Sequence, residues 1–204
     1  MGCRQCRALQ MSPQQDLPTL VTQIRSVLAS RHSRRLDVEH TGRAAVLIPV
    51  MKHLDGFAFL LTRRTHNVQT HKGQISFPGG VQDPADESLL QTALRETREE
   101  IGLQSAAVSI LGEFDEYLSV TGLIVTSFVA WLHQPMELTP SPDEVEEILL
   151  VPFDNFHEQR LLRTETRVRF GQEQKVYFYD FNGQEVWGLT AQIIRDFLQL
   201  LQGI

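Results

Sequence analysis

The sequence predicts an α/β fold, a mixed central sheet covered on both faces by helices. Strand-like apolar runs are interleaved with three long segments of helical period, which is the pattern of layered α/β domains. The 204 residues, with 42% hydrophobic and 22% charged side chains, suffice for one complete core. No internal repeat, low-complexity block or linker divides the chain. Residues 16–204 are therefore expected to form a single domain, preceded by a polar, basic tail over residues 1–15 that is expected to be disordered.

Each element has a local cause. Leu20, Val21, Ile24, Val27 and Leu28 recur at helical intervals, with Asp16 as a cap and Pro18 in the first turn. Arg31, His32, Arg34 and Arg35 follow as a basic patch, read as the solvated end of that helix, with phosphate contact as the other reading. Ala44 to Met51 and Phe57 to Arg63 are apolar strands joined by a turn at Asp55-Gly56, a hairpin signal. Ala107 to Phe114 and Leu123 to Trp131 read as further strands, separated by a loop over Glu113 to Gly122 that could border a substrate pocket; its Glu113 and Glu116 are read as exposed loop charges, with additional metal groups as the other reading. Ile148 to Phe153 is another apolar run. Arg167 to Phe170 and Val176 to Phe181 predict a final hairpin, Asn182-Gly183 marks the turn beyond it, and a packing helix starts near Thr190.

Phe77 to Leu103 carries the chemistry. Phe77-Pro78-Gly79-Gly80 leads through a short acidic turn into a helix whose Leu90, Ala93, Leu94, Thr97 and Ile101 form the buried face. Asp86 and Ser88 are the candidate caps, the second with Gln91 three residues on, and Gly102 ends the helix. At about 100° per residue, Glu96, Glu99 and Glu100 project as one carboxylate patch beside Arg95 and Arg98. Many acidic helix faces are merely solvated. Here, however, carboxylates suited to Mg²⁺ or Mn²⁺ follow two glycines that let a ligand approach the backbone.

Gly80, Glu87, Arg95-Glu96, Glu99-Glu100 and Gly102-Leu103 resemble the Nudix box, the signature of hydrolases that cut nucleoside diphosphates linked to another group. Six residues rather than the usual five separate Gly80 from Glu87, and Thr97 replaces an aliphatic residue. Leu60, Leu61, Thr62, Arg64, Gly73 and Phe77 to Gly80 resemble the segment marking the coenzyme A pyrophosphatase branch; Thr65 and Gln69 depart from it. The resemblance implies a Nudix α/β/α sandwich, with Glu96, Glu99 and Glu100 as ligands of Mg²⁺ or Mn²⁺ and Arg95 holding the array through a carboxylate. It implies a diphosphatase of coenzyme A or its thioesters. Glu144, ahead of the Ile148 run, or Glu99 would handle the attacking water, and Arg64, Lys72, Gly79 and Gly80 would contact substrate. Replacement of the second arginine by Gln69 keeps ADP-ribose or another nucleoside diphosphate as the alternative substrate. A sensor without catalysis is the reading from another class, against which stands the presence of all three helix glutamates.

The formal charge of −6 argues against nucleic-acid binding through a broad basic surface. It also requires cations between an acidic site and a diphosphate. No apolar run reaches the length of a membrane span, and no signal peptide opens the chain, so a cytoplasmic location is expected. Cys3 and Cys6 have C-x-x-C spacing without a second ligand pair, and MGCRQC lacks the Ser or Thr of a myristoylation site. The expected partner is a small nucleoside diphosphate; the sequence admits a homodimer without specifying one.

Overall fold

A computed structural model describes residues 18–39, 41–66, 72–156, 161–169 and 172–202. The expected tail and the Asp16 cap lie outside them, as do Gln69 and His71. The described elements run α1 (Thr19–Ser30), β1 (Gly42–His53), β2 (Gly56–Arg64), β3 (Ile75–Ser76), β4 (Gly79–Val81), α2 (Leu89–Ile101), β5 (Val108–Leu118), β6 (Leu123–Leu132), β7 (Val145–Pro152), β8 (Leu161–Arg169), β9 (Gln172–Phe181), β10 (Gln184–Trp187) and α3 (Gly188–Leu201).

Strands β3-β2-β1-β6-β5 are hydrogen-bonded in that order, with β4 also pairing β1 and β7 also pairing β2. The β1–β6 pair is parallel and its neighbours are antiparallel, so the sheet is mixed. Its central strands are apolar on both faces, as expected of strands covered on both sides. Ala45, Leu47 and Met51 of β1 pack with Ala93 and Ile101 of α2. Ile48 and Val50, which alternate with them, join Val21, Ile24 and Leu28 of α1 and Ile193, Ile194 and Phe197 of α3. The result is an α/β/α sandwich, as the alternation of elements predicts. Strands β10-β9-β8 form a separate antiparallel sheet, larger than the final hairpin expected from sequence.

The segment Glu113 to Gly122 is not a loop throughout: β5 continues to Leu118 before a turn closed by a Gly122 N–H to Ser119 carbonyl bond of 3.1 Å. Register shifts in the β5–β6 ladder, one between Glu113 and Glu116, interrupt the alternation by which a strand is recognised. Phe114, Asp115, Glu116 and Tyr117 are consecutively buried there. Glu116 is only 1% exposed and Glu113 is partly buried, contrary to the expectation for both. Arg35 pairs with Glu113 at 2.8 Å and Glu116 at 3.1 Å, and Arg43 reaches Glu116 at 3.0 Å. Arg31 pairs with Asp115, and Arg34 with Asp196 at 3.8 Å. Burial alone would raise Glu116, but the Leu36 N–H and the two arginines hold it below the usual carboxylate range. Three arginines of the basic patch after α1 are therefore engaged by carboxylates of β5 and α3, while His32, Arg34 and Arg35 stay exposed, as expected of a solvated helix end.

Candidate active site

The α2 helix is placed by its ends. Ser88 caps it by accepting the Gln91 N–H at 3.2 Å, and Gly102 closes it in the left-handed conformation at φ 72°. The Gln91 side chain reaches back to the N–H of Glu87 at 2.6 Å, one residue before the cap. Thr92, Ala93, Thr97 and Ile101 are buried, while Leu90 and Leu94 pack at the margin of the core. Glu100 rules out a merely solvated acidic face: it is 2% exposed, buried beside that apolar face.

Asp86 is not a cap. It accepts Arg95 Nε on one oxygen and Arg95 Nη2 on the other, each at 2.9 Å, and the Thr92 hydroxyl at 2.9 Å. The Arg95 bond chiefly holds this carboxyl far below the usual range. Arg95 Nη1 then donates to Glu96 at 2.8 Å and Glu99 at 3.0 Å. One guanidinium thus carries the register of Asp86 to two helix glutamates. The sequence held the clue: five residues, Val81 to Ala85, separate Gly80 from Asp86, the usual spacing of the box, whereas Glu87 stands exposed one residue later.

The glycines meet the carboxylates from the opposite side. A Cβ on Gly80 would lie 2.4 Å from the Glu96 carboxyl carbon, so only glycine leaves room for that side chain. Gly79 has φ 147°, and a Cβ there would stand 2.2 Å from the Ala45 carbonyl oxygen in β1. Its N–H donates to Glu100 at 3.2 Å, and Arg64 at the end of β2 donates to the other Glu100 oxygen at 3.3 Å. Burial pushes Glu100 up to about 7; the Gly79 N–H and Arg64 oppose this, and the charges of Glu144 and Glu96 add to it. Burial also raises Glu96, with Arg95 opposing and Glu99 and Glu144 reinforcing.

Glu144 is exposed, yet its charge is felt by both Glu96 and Glu100. Backbone bonds bring it there: Thr65 N–H to the Glu144 carbonyl at 2.9 Å, and Ser141 N–H to the Glu100 carbonyl at 2.8 Å. Of its acidic neighbours, Glu147 is engaged by Arg63, and Asp143 and Glu146 are exposed. Lys72 is exposed and does not line the cavity described below.

Among the described residues no three acidic, His or Cys side chains stand in a ready-made metal cluster. Arg95 and Arg64 occupy carboxylate oxygens of Glu96, Glu99 and Glu100. The donor set nonetheless suits a hard divalent cation. It consists of carboxylate oxygens, and two of its members are desolvated and mutually repelling, a condition that a cation relieves.

Gly79, Gly80 and Arg64 also line a cavity of about 800 Å³, the size of a small-molecule site. Its other walls come from β1, the β5–β6 turn, the β8–β10 sheet and the start of α3.

Comparison with known proteins matches this architecture. The NUDIX domain model matches residues 41–173. The chain is 37% identical over 164 residues to the uncharacterized Nudix hydrolase NudL of Photorhabdus laumondii, covering 80% of this chain and 87% of that protein. It is also 37% identical over 157 residues to NudL of Pectobacterium atrosepticum, covering 77% and 81%. Among solved structures, the C. elegans Ap4A hydrolase binary complex aligns with a TM-score of 0.55 at 20% identity, covering 79% of this chain and all of that one, a likeness of fold. With the matched domain enclosing α2, its glycine approach and the carboxylates they bring together, the chain belongs to the Nudix hydrolase family.

Proposed function

We propose that this Nudix hydrolase is a Mg²⁺- or Mn²⁺-dependent diphosphatase of coenzyme A or its thioesters, releasing 3′,5′-ADP and 4′-phosphopantetheine or its acyl form. The observation that carries the reading is the 3.3 Å contact of Arg64, which lines the cavity, with the buried Glu100. It joins the segment resembling the coenzyme A branch, which supplies Arg64, Gly79 and Gly80, to the helix of the Nudix box.

Glu96, Glu99 and Glu100 would hold the ion or ions. Bound Mg²⁺ or Mn²⁺ would supply charge neutralisation at the diphosphate and a lowered pKa for the attacking water. Arg64 would donate to a phosphate oxygen, using the planar fork that suits phosphate. Gly79 and Gly80 let the diphosphate lie against the backbone. Glu144, exposed and near enough for its charge to act on Glu96 and Glu100, would accept the proton of the attacking water, with Glu99 as the other carboxylate open to solvent. The water oxygen attacks phosphorus, one phosphoanhydride P–O bond breaks, and the leaving phosphate takes the bonding electron pair.

The test is incubation with coenzyme A, acetyl-coenzyme A, ADP-ribose and a dinucleotide panel, with and without EDTA, read by mass spectrometry. Release of 3′,5′-ADP, abolished by EDTA and restored by Mg²⁺ or Mn²⁺, is the expected result. Turnover of ADP-ribose with none of coenzyme A would move the substrate to the other class, and binding without turnover of any nucleotide would make the chain a sensor.

A further inference from the structure

The C-terminal sheet carries a row of planar groups that ends in the cavity. Arg163 on β8, Phe178 on β9 and Trp187 on β10 stand opposite one another in the strand register, so their side chains leave the same face of the sheet. The Arg163 guanidinium lies 3.8 Å from the Phe178 ring centre, and the rings of Phe178 and Trp187 stack at 5.5 Å and 7°. Because β8 and β10 flank β9 on opposite sides, Arg163 and Trp187 cover opposite faces of Phe178, which is 3% exposed. Glu165, at 3.0 Å, and Glu185 hold the guanidinium end in place.

The indole end of the row is open. Trp187 lines the cavity whereas Phe178 does not, so the space reaches the indole from the side turned away from Phe178. Arg167 is nearly equidistant from the two ring centres, 5.7 Å from Trp187 and 5.8 Å from Phe178. A group on the outer face of Trp187 would stand much farther from Phe178 than from Trp187, so Arg167 lies beside the pair. Among the described residues no other ring or cation contacts the indole. Ser76 on β3 and Thr190 and Gln192 on α3 line the same space, with hydroxyl and carboxamide groups able to bond the edge of a heterocycle. Toward the β5–β6 turn the lining is aliphatic, with Leu118, Leu123 and Val125.

We infer that the outer face of Trp187 is the stacking platform for the substrate's nucleobase, which continues the row of planar groups, and that Trp187 is a specificity-determining residue. An indole offers the largest π-surface of any side chain and carries no charge, so it selects a flat heterocycle over a flexible polar arm. Phe178 already fixes the ring, so little side-chain freedom is lost on binding. The nucleotide half of the substrate thus lies against the C-terminal sheet, and the aliphatic end is left to the group on the other side of the diphosphate. The inference rests on the proposed function only in taking a nucleoside diphosphate as the ligand of the cavity; it holds for coenzyme A and ADP-ribose alike.

The test uses the full-length protein carrying Trp131→Phe, which leaves Trp187 as the only tryptophan. AMP should quench its fluorescence saturably, whereas ribose 5-phosphate and 4′-phosphopantetheine should not. In titration calorimetry AMP is expected to bind roughly tenfold or more tighter than ribose 5-phosphate, and Trp187→Leu should weaken AMP roughly 5- to 150-fold, the scale of one base stacked on an aromatic ring. Ribose 5-phosphate should bind that variant as before, and Trp187→Phe should recover most of the loss. Absence of quenching by AMP, quenching by 4′-phosphopantetheine alone, or equal weakening of AMP and ribose 5-phosphate in Trp187→Leu would overturn the platform. Because Trp131→Phe leaves Trp187 intact, the fluorescence result decides the matter should Trp187→Leu fail to fold. The platform and the proposed substrate fail separately, since AMP binding is read without turnover: a chain that stacks AMP but leaves coenzyme A uncleaved loses the substrate and keeps the platform.

Discussion

Arg95 grips both oxygens of Asp86, through Nε and Nη2 at 2.9 Å each, and spends its remaining nitrogen on Glu96 and Glu99. Asp86 thereby fixes two of the glutamates proposed as metal ligands without belonging to α2. Asp86→Asn keeps the shape but removes the charge that holds Arg95. Activity is expected to fall roughly 10- to 100-fold, the usual effect of removing a partner behind a ligand. Titration of activity against Mg²⁺ should show a higher half-saturating concentration. An unchanged metal requirement would refute the positioning role.

Glu100→Gln removes the buried member of the carboxylate set. Turnover at saturating Mg²⁺ is expected to drop by roughly a hundredfold or more, since each 1.36 kcal/mol of lost stabilisation is a factor of ten. Near wild-type turnover would remove Glu100 from the proposed metal site.

The same residue makes pH dependence specific. Glu100 titrates near 7 in the folded metal-free protein, against an ordinary value of 4.5. Because the folded value is raised, the stabilising contribution is fully present below about pH 4.5 and is lost as pH rises through about 7. Metal-free wild type should therefore carry a loss of stability across that window, on the order of a few kcal/mol, that Glu100→Gln lacks. Divalent-metal affinity should run the other way, weakening as acidification below about pH 7 protonates Glu100. Denaturant unfolding and calorimetry at pH 5, 6, 7 and 8 measure both slopes.

The two glycines should fail differently when given a side chain. Gly79→Ala puts a Cβ 2.2 Å from the Ala45 carbonyl oxygen at φ 147°, a backbone conflict. A loss of about 2–4 kcal/mol of stability is expected. Gly80→Ala meets the end of the Glu96 side chain at 2.4 Å. That side chain can turn away, so the melting temperature should move little while activity falls tenfold or more. Thermal melts beside initial rates separate the two.

Arg64→Ala should raise KM by roughly tenfold or more, as expected for loss of a charge-assisted phosphate contact. Arg64→Lys should recover only part of it, because an ammonium lacks the planar fork. Full recovery by lysine would reduce the role to charge alone.

The sequence by itself determined the layered α/β domain, because apolar periodicities of two and of 3.6 residues report which faces must leave water. It determined the α2 helix with its Ser88 and Gly102 ends, and the membership of Glu96, Glu99 and Glu100 in one motif, since caps and spacing are local properties. Tertiary structure alone decided that Arg95 chooses Asp86, that Glu100 is buried against Gly79 and Arg64, that Arg31 and Arg35 pair with carboxylates of β5, and that Arg34 pairs with Asp196 of α3. It also decided that a second sheet forms one wall of the cavity. These are pairings between residues distant in the chain, or selections among several nearby carboxylates, and which of them forms depends on desolvation and distance once the layers have packed.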